Sequence, residues 1–159
     1  MSLKEQTDSF LAQKRVAIVG VSRAEGTGNA IFRKFRDAGY DVYPINPNAD
    51  EVEGVKCYPN VKEVPGGVDS VLIVTSPDIT EKVMQDCVEA GVSNVWMHHN
   101  KLFGSGNTSV SETAVKLGRE NGINVIPGAC PMMFIQGADF GHKCMRWILG
   151  VTGGLPQSA

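Results

Sequence analysis

The chain contains no apolar run approaching the roughly 20 residues needed to cross a bilayer, so no membrane-spanning helix is expected. It has no excess of positive charge: 15 Lys and Arg stand against 17 Asp and Glu, for a net charge of −2. Nucleic acid and anionic membrane are therefore not expected partners, because both call for a basic patch. Cysteine is scarce: Cys57, Cys87, Cys130 and Cys144 form no C-x-x-C pair. That pattern implies no disulfide framework and suits the reducing cytoplasm. The first 14 residues are polar and carry both signs, unlike a secretion signal. Internal repeats, low-complexity runs and long linkers are missing. So are a Ser-His-Asp order, a paired-carboxylate signature and a P-loop lysine, which leaves the common hydrolytic and phosphoryl-transfer devices without support.

What remains is the composition of an ordinary globular domain, 42% hydrophobic and 20% charged over 159 residues. At that length a chain buries roughly 70% of its unfolded surface and needs no staple. Residues 1–159 are expected to form one domain, with its core over about 10–131 and a C-terminal extension over 132–159.

Five short runs rich in Val and Ile have strand character: Val16–Val19, Val42–Ile45, Val71–Val74, Val95–Met97 and Ile123–Ile126. They are apolar on successive residues, as strands covered on both faces of a parallel sheet are. Helical patterns lie between them. Ile31, Phe35 and Ala38 form one stripe that Gly39 ends. Pro77 opens a second helix, with Val83, Met84, Cys87 and Val88 inward and Gly91 as its stop. A third runs over 109–121, with Ser111 as cap, Val115 and Leu117 or Gly118 inward, and Gly122 after it. Short elements are expected around Val55–Cys57 and Val61–Val64, and another helix over Phe140–Leu149. Alternation of this kind predicts an α/β fold: a single Rossmann-like, doubly wound domain. Its five-stranded sheet is expected to be mostly parallel, with helices on both faces.

Ligands of such folds sit beyond the C-terminal ends of the strands. That edge comprises Gly20–Gly28, Asn46-Pro47-Asn48, Thr75-Ser76-Pro77, His98-His99-Asn100 and Gly128-Ala129-Cys130-Pro131. The first segment is a strand feeding a glycine turn and a helix start, the arrangement that holds phosphate on backbone N–H groups. It is not the dinucleotide fingerprint G-x-G-x-x-G. Gly20 fits the first position, but Ser22 and Glu25 occupy the second and third. The second strand ends Ile45-Asn46-Pro47, without the acid that accepts from the adenosine ribose in nicotinamide sites. An acid-free tip favours a ribose that carries a phosphate, as in coenzyme A or NADP.

The order and spacing of Val16-Ala17-Ile18-Val19-Gly20-Val21-Ser22, Gly39–Pro47, Val95-Trp96-Met97 and Gly128–Met133 resemble one family over about residues 10–155. It is the single-domain CoA-binding proteins of Rossmann-like fold, related to the corresponding domain of succinyl-CoA synthetase α-subunits and NDP-forming acyl-CoA synthetases. The resemblance implies adenosine diphosphate around Gly20, Ser22, Arg23 and Asn29, and adenosine beside Asn46 and Pro47. It implies a pantetheine arm passing Thr75, Ser76 and Pro77 and ending near Met97, His98 and Cys130. Two features depart from the family. Members often carry a basic residue directly after the Asn-Pro pair, where Asn48, Ala49, Asp50 and Glu51 stand here, which leaves the 3′-phosphate to Arg23. His98 stands where Gln is expected after Trp-Met.

Cys130, at the expected ligand edge, is the candidate for exchange with a CoA thiol if it ionises. His98, His99, Cys130 and His142 are metal-ligand types, yet adjacent histidines on a strand point to opposite faces, so no metal site is expected. The larger synthetases phosphorylate a histidine in another domain, and His142 does not match it. The expected function is binding of coenzyme A or an acyl-CoA by a small regulatory or binding module without catalysis, its protein partner unknown. The alternative is a small NADP-dependent oxidoreductase with an atypical loop.

Overall fold

The computed structural model describes residues 1–99 and 108–156. Five parallel strands form one sheet: β1 (Arg15–Val19), β2 (Asp41–Ile45), β5 (Ser70–Ile73), β6 (Asn94–Met97) and β7 (Asn124–Pro127). Their spatial order is β2-β1-β5-β6-β7. The first strand, β1, lies next to the sheet edge; the chain crosses outward to β2, then returns to the other side of β1. The switch point therefore lies between the C-terminal ends of β1 and β5, where folds of this kind place their ligands. A separate two-residue ribbon, β3 (Glu51–Val52) with β4 (Val55–Lys56), follows β2.

Strand residues alternate between two cores. Val16, Ile18, Leu72, Trp96 and Ile126 pack with α1 (Leu3–Ala12), α2 (Thr27–Asp37) and α5 (Phe140–Thr152) through Phe10, Ile31, Phe32, Phe35, Met145 and Leu149. Ala17, Val19, Val71, Ile73, Val95, Met97 and Val125 pack with α3 (Pro77–Glu89) and α4 (Glu112–Glu120) through Val83, Met84, Cys87 and Ala114. Double coverage explains why these strands read as continuous apolar runs. The domain is thus a Rossmann-like α/β unit with helices on both faces.

Helix α1 is the element that the sequence pattern does not reveal. Its apolar residues are few, but Ser2 and Glu5 close a capping box, and Phe10 stands edge-on to Trp96 at 5.3 Å between centroids. Gln6 donates Nε2–H to the Val125 carbonyl oxygen, 3.1 Å away, and so occupies part of the sheet's β7 edge. In α2 the buried stripe is Ile31, Phe32 and Phe35 rather than Ile31, Phe35 and Ala38, because Ala38 lies at the C-cap, past the last packed turn. Pro77 at the first position of α3 and Ser111 capping α4 fall where the sequence puts them.

One close approach fixes the entry to α2. A Cβ on Gly28 would lie 2.3 Å from the Gly20 carbonyl oxygen, and one on Gly20 would lie 2.6 Å from the Val74 carbonyl oxygen. Only Cα atoms without a Cβ let the end of β1, the end of β5 and the first turn of α2 meet so tightly. Gly28→Ala forces backbone apart and is expected to cost about 1–3 kcal/mol, the range of overpacking. Urea unfolding measures it; an unchanged midpoint contradicts the contact.

Candidate functional site

The β1–α2 loop, residues 20–26, is shaped by the buried side chain of Asn29. The Ser22 N–H donates to Asn29 Oδ1 at 3.1 Å, and Asn29 Nδ2 donates to the Ser22 carbonyl oxygen at 2.8 Å and to Glu53 Oε1 at 2.8 Å. Ser22 Oγ turns inward to the Ala24 carbonyl oxygen at 2.6 Å. The loop is thus held as a formed ring at the switch point. The N-cap of α2 is Gly26, which offers no side-chain cap, and the first turn carries no acid. The helix therefore opens with its positive end uncovered by either device.

Asn46 ties the tip of β2 to this loop. Its Nδ2 donates to the Val21 carbonyl oxygen at 3.0 Å, and its Oδ1 accepts from the Asn48 N–H at 2.8 Å. Pro47 follows, exposed, and Arg23 is exposed on the loop. Across the switch point, Thr75 Oγ1 lies 3.3 Å from Thr80 Oγ1, which also reaches the Ser76 carbonyl oxygen at 3.1 Å. Ser76 is exposed and Pro77 starts α3. Gly20, Ser22, Asn29 and Asn46 are therefore directly linked, and Val74 to Pro77 adjoin them through the Gly20–Val74 contact.

The expected end of the arm is not brought together in the same way. Met97 belongs to the core on the α3–α4 side, whereas Cys130 belongs to the core on the α1–α2–α5 side, so the sheet separates them. Cys130 is 2% exposed, and burial pushes its thiol up to about 11. It is a packed side chain whose thiol stays protonated at neutral pH, so the ionisation on which exchange depends is not met in this structure. Its position follows from β7, where Gly128 takes φ +116° and Ala129 φ +64°, while the Gly128 carbonyl oxygen accepts from Trp96 Nε1 at 2.8 Å. Asn100 lies outside the described residues. Among the described residues no group of three or more His, Cys, Asp and Glu side chains could hold a metal, and no helix is long and apolar enough to cross a membrane.

Sequence reasoning missed an acidic and basic cluster beside the loop. The β3–β4 ribbon turns through Glu53 and Gly54 at φ +52° and +74°, the left-handed pair that a two-residue hairpin requires. That turn brings the Glu53 carboxylate to Asn29 in the first turn of α2. Arg33, one helical turn after Asn29, pairs with Glu53 at 2.8 Å and with Glu25 through both nitrogens at 2.9 Å. The i, i+4 spacing of Asn29 and Arg33 was the available signal for Arg33.

His98 is 8% exposed, and its Nε2, like His99 Nδ1, is buried without a hydrogen-bond partner among the described residues. Burial first, then the neighbouring His99, lowers the His98 pKa to about 4. The folded protein thus holds His98 neutral, while the unfolded chain takes a proton below the ordinary value near 6.5. Stability is present above that value and is lost as pH falls from about 6.5 towards about 4. Between pH 7 and pH 4.5 this contributes a loss of about 2 kcal/mol. Replacing His98 with Gln is expected to remove that part of the acid limb in chemical denaturation, and an unchanged pH profile contradicts the assignment.

These features define a Rossmann-like α/β domain with its candidate site at the β1/β5 switch point. Comparison with known proteins takes the assignment further: residues 14–136 match the CoA binding domain family, and the chain belongs to it. It is 32% identical over 118 residues to the ADP-forming acetate–CoA ligase of Methanocaldococcus jannaschii, covering 74% of this chain and 17% of the ligase. The chain therefore spans about a sixth of that relative. Among solved structures, a hypothetical protein from Pyrococcus horikoshii OT3 is 30% identical with a TM-score of 0.72, covering 80% of this chain and 86% of that one. The dinucleotide-forming acetyl-coenzyme A synthetase 1 of Ca. Korarchaeum cryptofilum, solved with phosphate and ADP, is 35% identical with a TM-score of 0.62. That match covers 72% of this chain and 25% of the synthetase. The NADP-dependent oxidoreductase reading is not favoured by these relatives.

Proposed function

We propose that the protein binds coenzyme A or an acyl-CoA and does no chemistry on it. The observation that carries this reading is the preformed loop at the switch point, held by Asn29 and lying inside the residues that match the CoA binding domain. The diphosphate lies against the backbone of Gly20–Ser22 and the uncapped N-terminus of α2, with Arg23 free to reach it. Adenosine sits beside Asn46 and Pro47. The arm crosses Thr75, Ser76 and Pro77 towards His98, whose buried Nε2 has no hydrogen-bond partner among the described residues. Met97 and Cys130 support that edge from opposite cores rather than meeting the thiol together.

A binding rather than catalytic role is supported by the inert state of the nucleophile candidate. A thiol pushed to about 11 has a negligible thiolate fraction at pH 7. The similarity to one part of a larger ligase supports a module whose bound state is read by another protein or domain.

A ligand at 100 times its dissociation constant stabilises by about 2.7 kcal/mol. For a domain of this size that raises Tm by roughly 5–10 °C. Thermal shift with CoA, dephospho-CoA, NADP and NAD is expected to show this rise for CoA. A rise with NADP or NAD and none with CoA overturns the proposal.

A further inference from the structure

Arg33 has two carboxylate partners of unlike character. Glu53 is 14% exposed, also accepts from Asn29, and is delivered by a tight ribbon turn. Glu25 is 77% exposed, lies in the loop, and forks both oxygens onto the guanidinium. The first partner anchors Arg33 beside the loop. The second occupies the planar face that matches either a carboxylate or a phosphate. Side-chain hydrogen bonds from Arg33 hold the Glu25 carboxyl below its usual value, so at neutral pH it is ionised. With Glu25 in place the cluster holds two carboxylates and one guanidinium, a net negative mouth for a polyanionic ligand.

We infer that Arg33 pairs with a phosphate of the bound coenzyme and that Glu25 holds its place in the empty protein, so that ligand binding displaces Glu25. This rests on the coenzyme A reading above. Displacement of Glu25 gives up little, because an ion pair with a partner 77% exposed adds little to stability. A phosphate carries more charge than the carboxylate it replaces and accepts the same two parallel N–H bonds. Glu53 stays, fixing Arg33 at 34% exposure so that the guanidinium is positioned before the ligand arrives. The same exchange compensates for the missing basic residue after Asn46-Pro47, since Arg33 reaches the loop from the ribbon side of α2.

The test is calorimetric titration of the full chain at low ionic strength with CoA and with dephospho-CoA. Glu25→Gln is expected to tighten CoA binding by about two- to fivefold, the range that one exposed ion pair carries. Arg33→Gln is expected to weaken it by about tenfold or more, as loss of a charged hydrogen bond does. A loss greater for CoA than for dephospho-CoA assigns Arg33 to the ribose phosphate; an equal loss assigns it to the diphosphate. Should Arg33→Gln not fold, Glu25→Gln decides alone. Wild type that binds CoA while Glu25→Gln binds equally or more weakly overturns the inference and leaves the coenzyme reading standing. Wild type that binds neither ligand overturns that reading and the inference with it.

Discussion

One side-chain amide organises the ligand edge of this protein. Asn29, in the first turn of α2, closes the β1–α2 loop through two bonds to the backbone of Ser22 and a third to Glu53. Each arm depends on the backbone contact behind it, where Gly20 and Gly28 bring the end of β1 against the helix. Without that approach Asn29 would not reach Ser22, and the ribbon would have no anchor at the loop. A buried amide with all three bonds made is worth far more in place than its separate contacts suggest, because each group left unpaired costs about 1–3 kcal/mol. The loop is therefore already formed in the ligand-free protein, and a preformed loop needs less ordering on binding than a loose one.

The rest of the edge is arranged around that loop in ways consistent with holding rather than transforming a nucleotide. Asn46 uses both ends of its amide on neighbouring backbone, and the threonines after β5 bond to each other and to the start of α3. The groups with chemical potential are kept quiet. Cys130 is packed and protonated, and His98 is held neutral by burial. Membership of the CoA binding domain family, and likeness to one part of an acetate–CoA ligase, are coherent with such a site.

The fold was largely legible in the sequence, for a physical reason. Strands covered on both faces need apolar residues at every position, so β1, β5 and β6 stand out against amphipathic helices that glycines terminate. Helix α1 was not legible, because its place depends on contacts with distant strands: Phe10 against Trp96, and Gln6 and Ser9 bonded to β7 and β6. The grouping of four candidate residues was legible too: Gly20, Ser22, Asn29 and Asn46 lie together. Its electrostatics were not. Glu53 reaches the loop only through a two-residue ribbon turn, a tertiary event that no local pattern announces. Nor could the sequence say that Met97 and Cys130 belong to opposite faces, since the backbone turns at Gly128 and Ala129 before Cys130 is placed.

The central claim is that the loop held by Asn29 is where the coenzyme's phosphates lie. Titrating CoA into ¹⁵N-labelled protein and following backbone amides tests it residue by residue. The amides of Gly20 to Asn29, Asn46 and Ser76 are expected to shift together with one dissociation constant, while those of α5 stay unchanged. Saturable shifts confined to α5 or to the α3–α4 face, with the loop amides still, would contradict it.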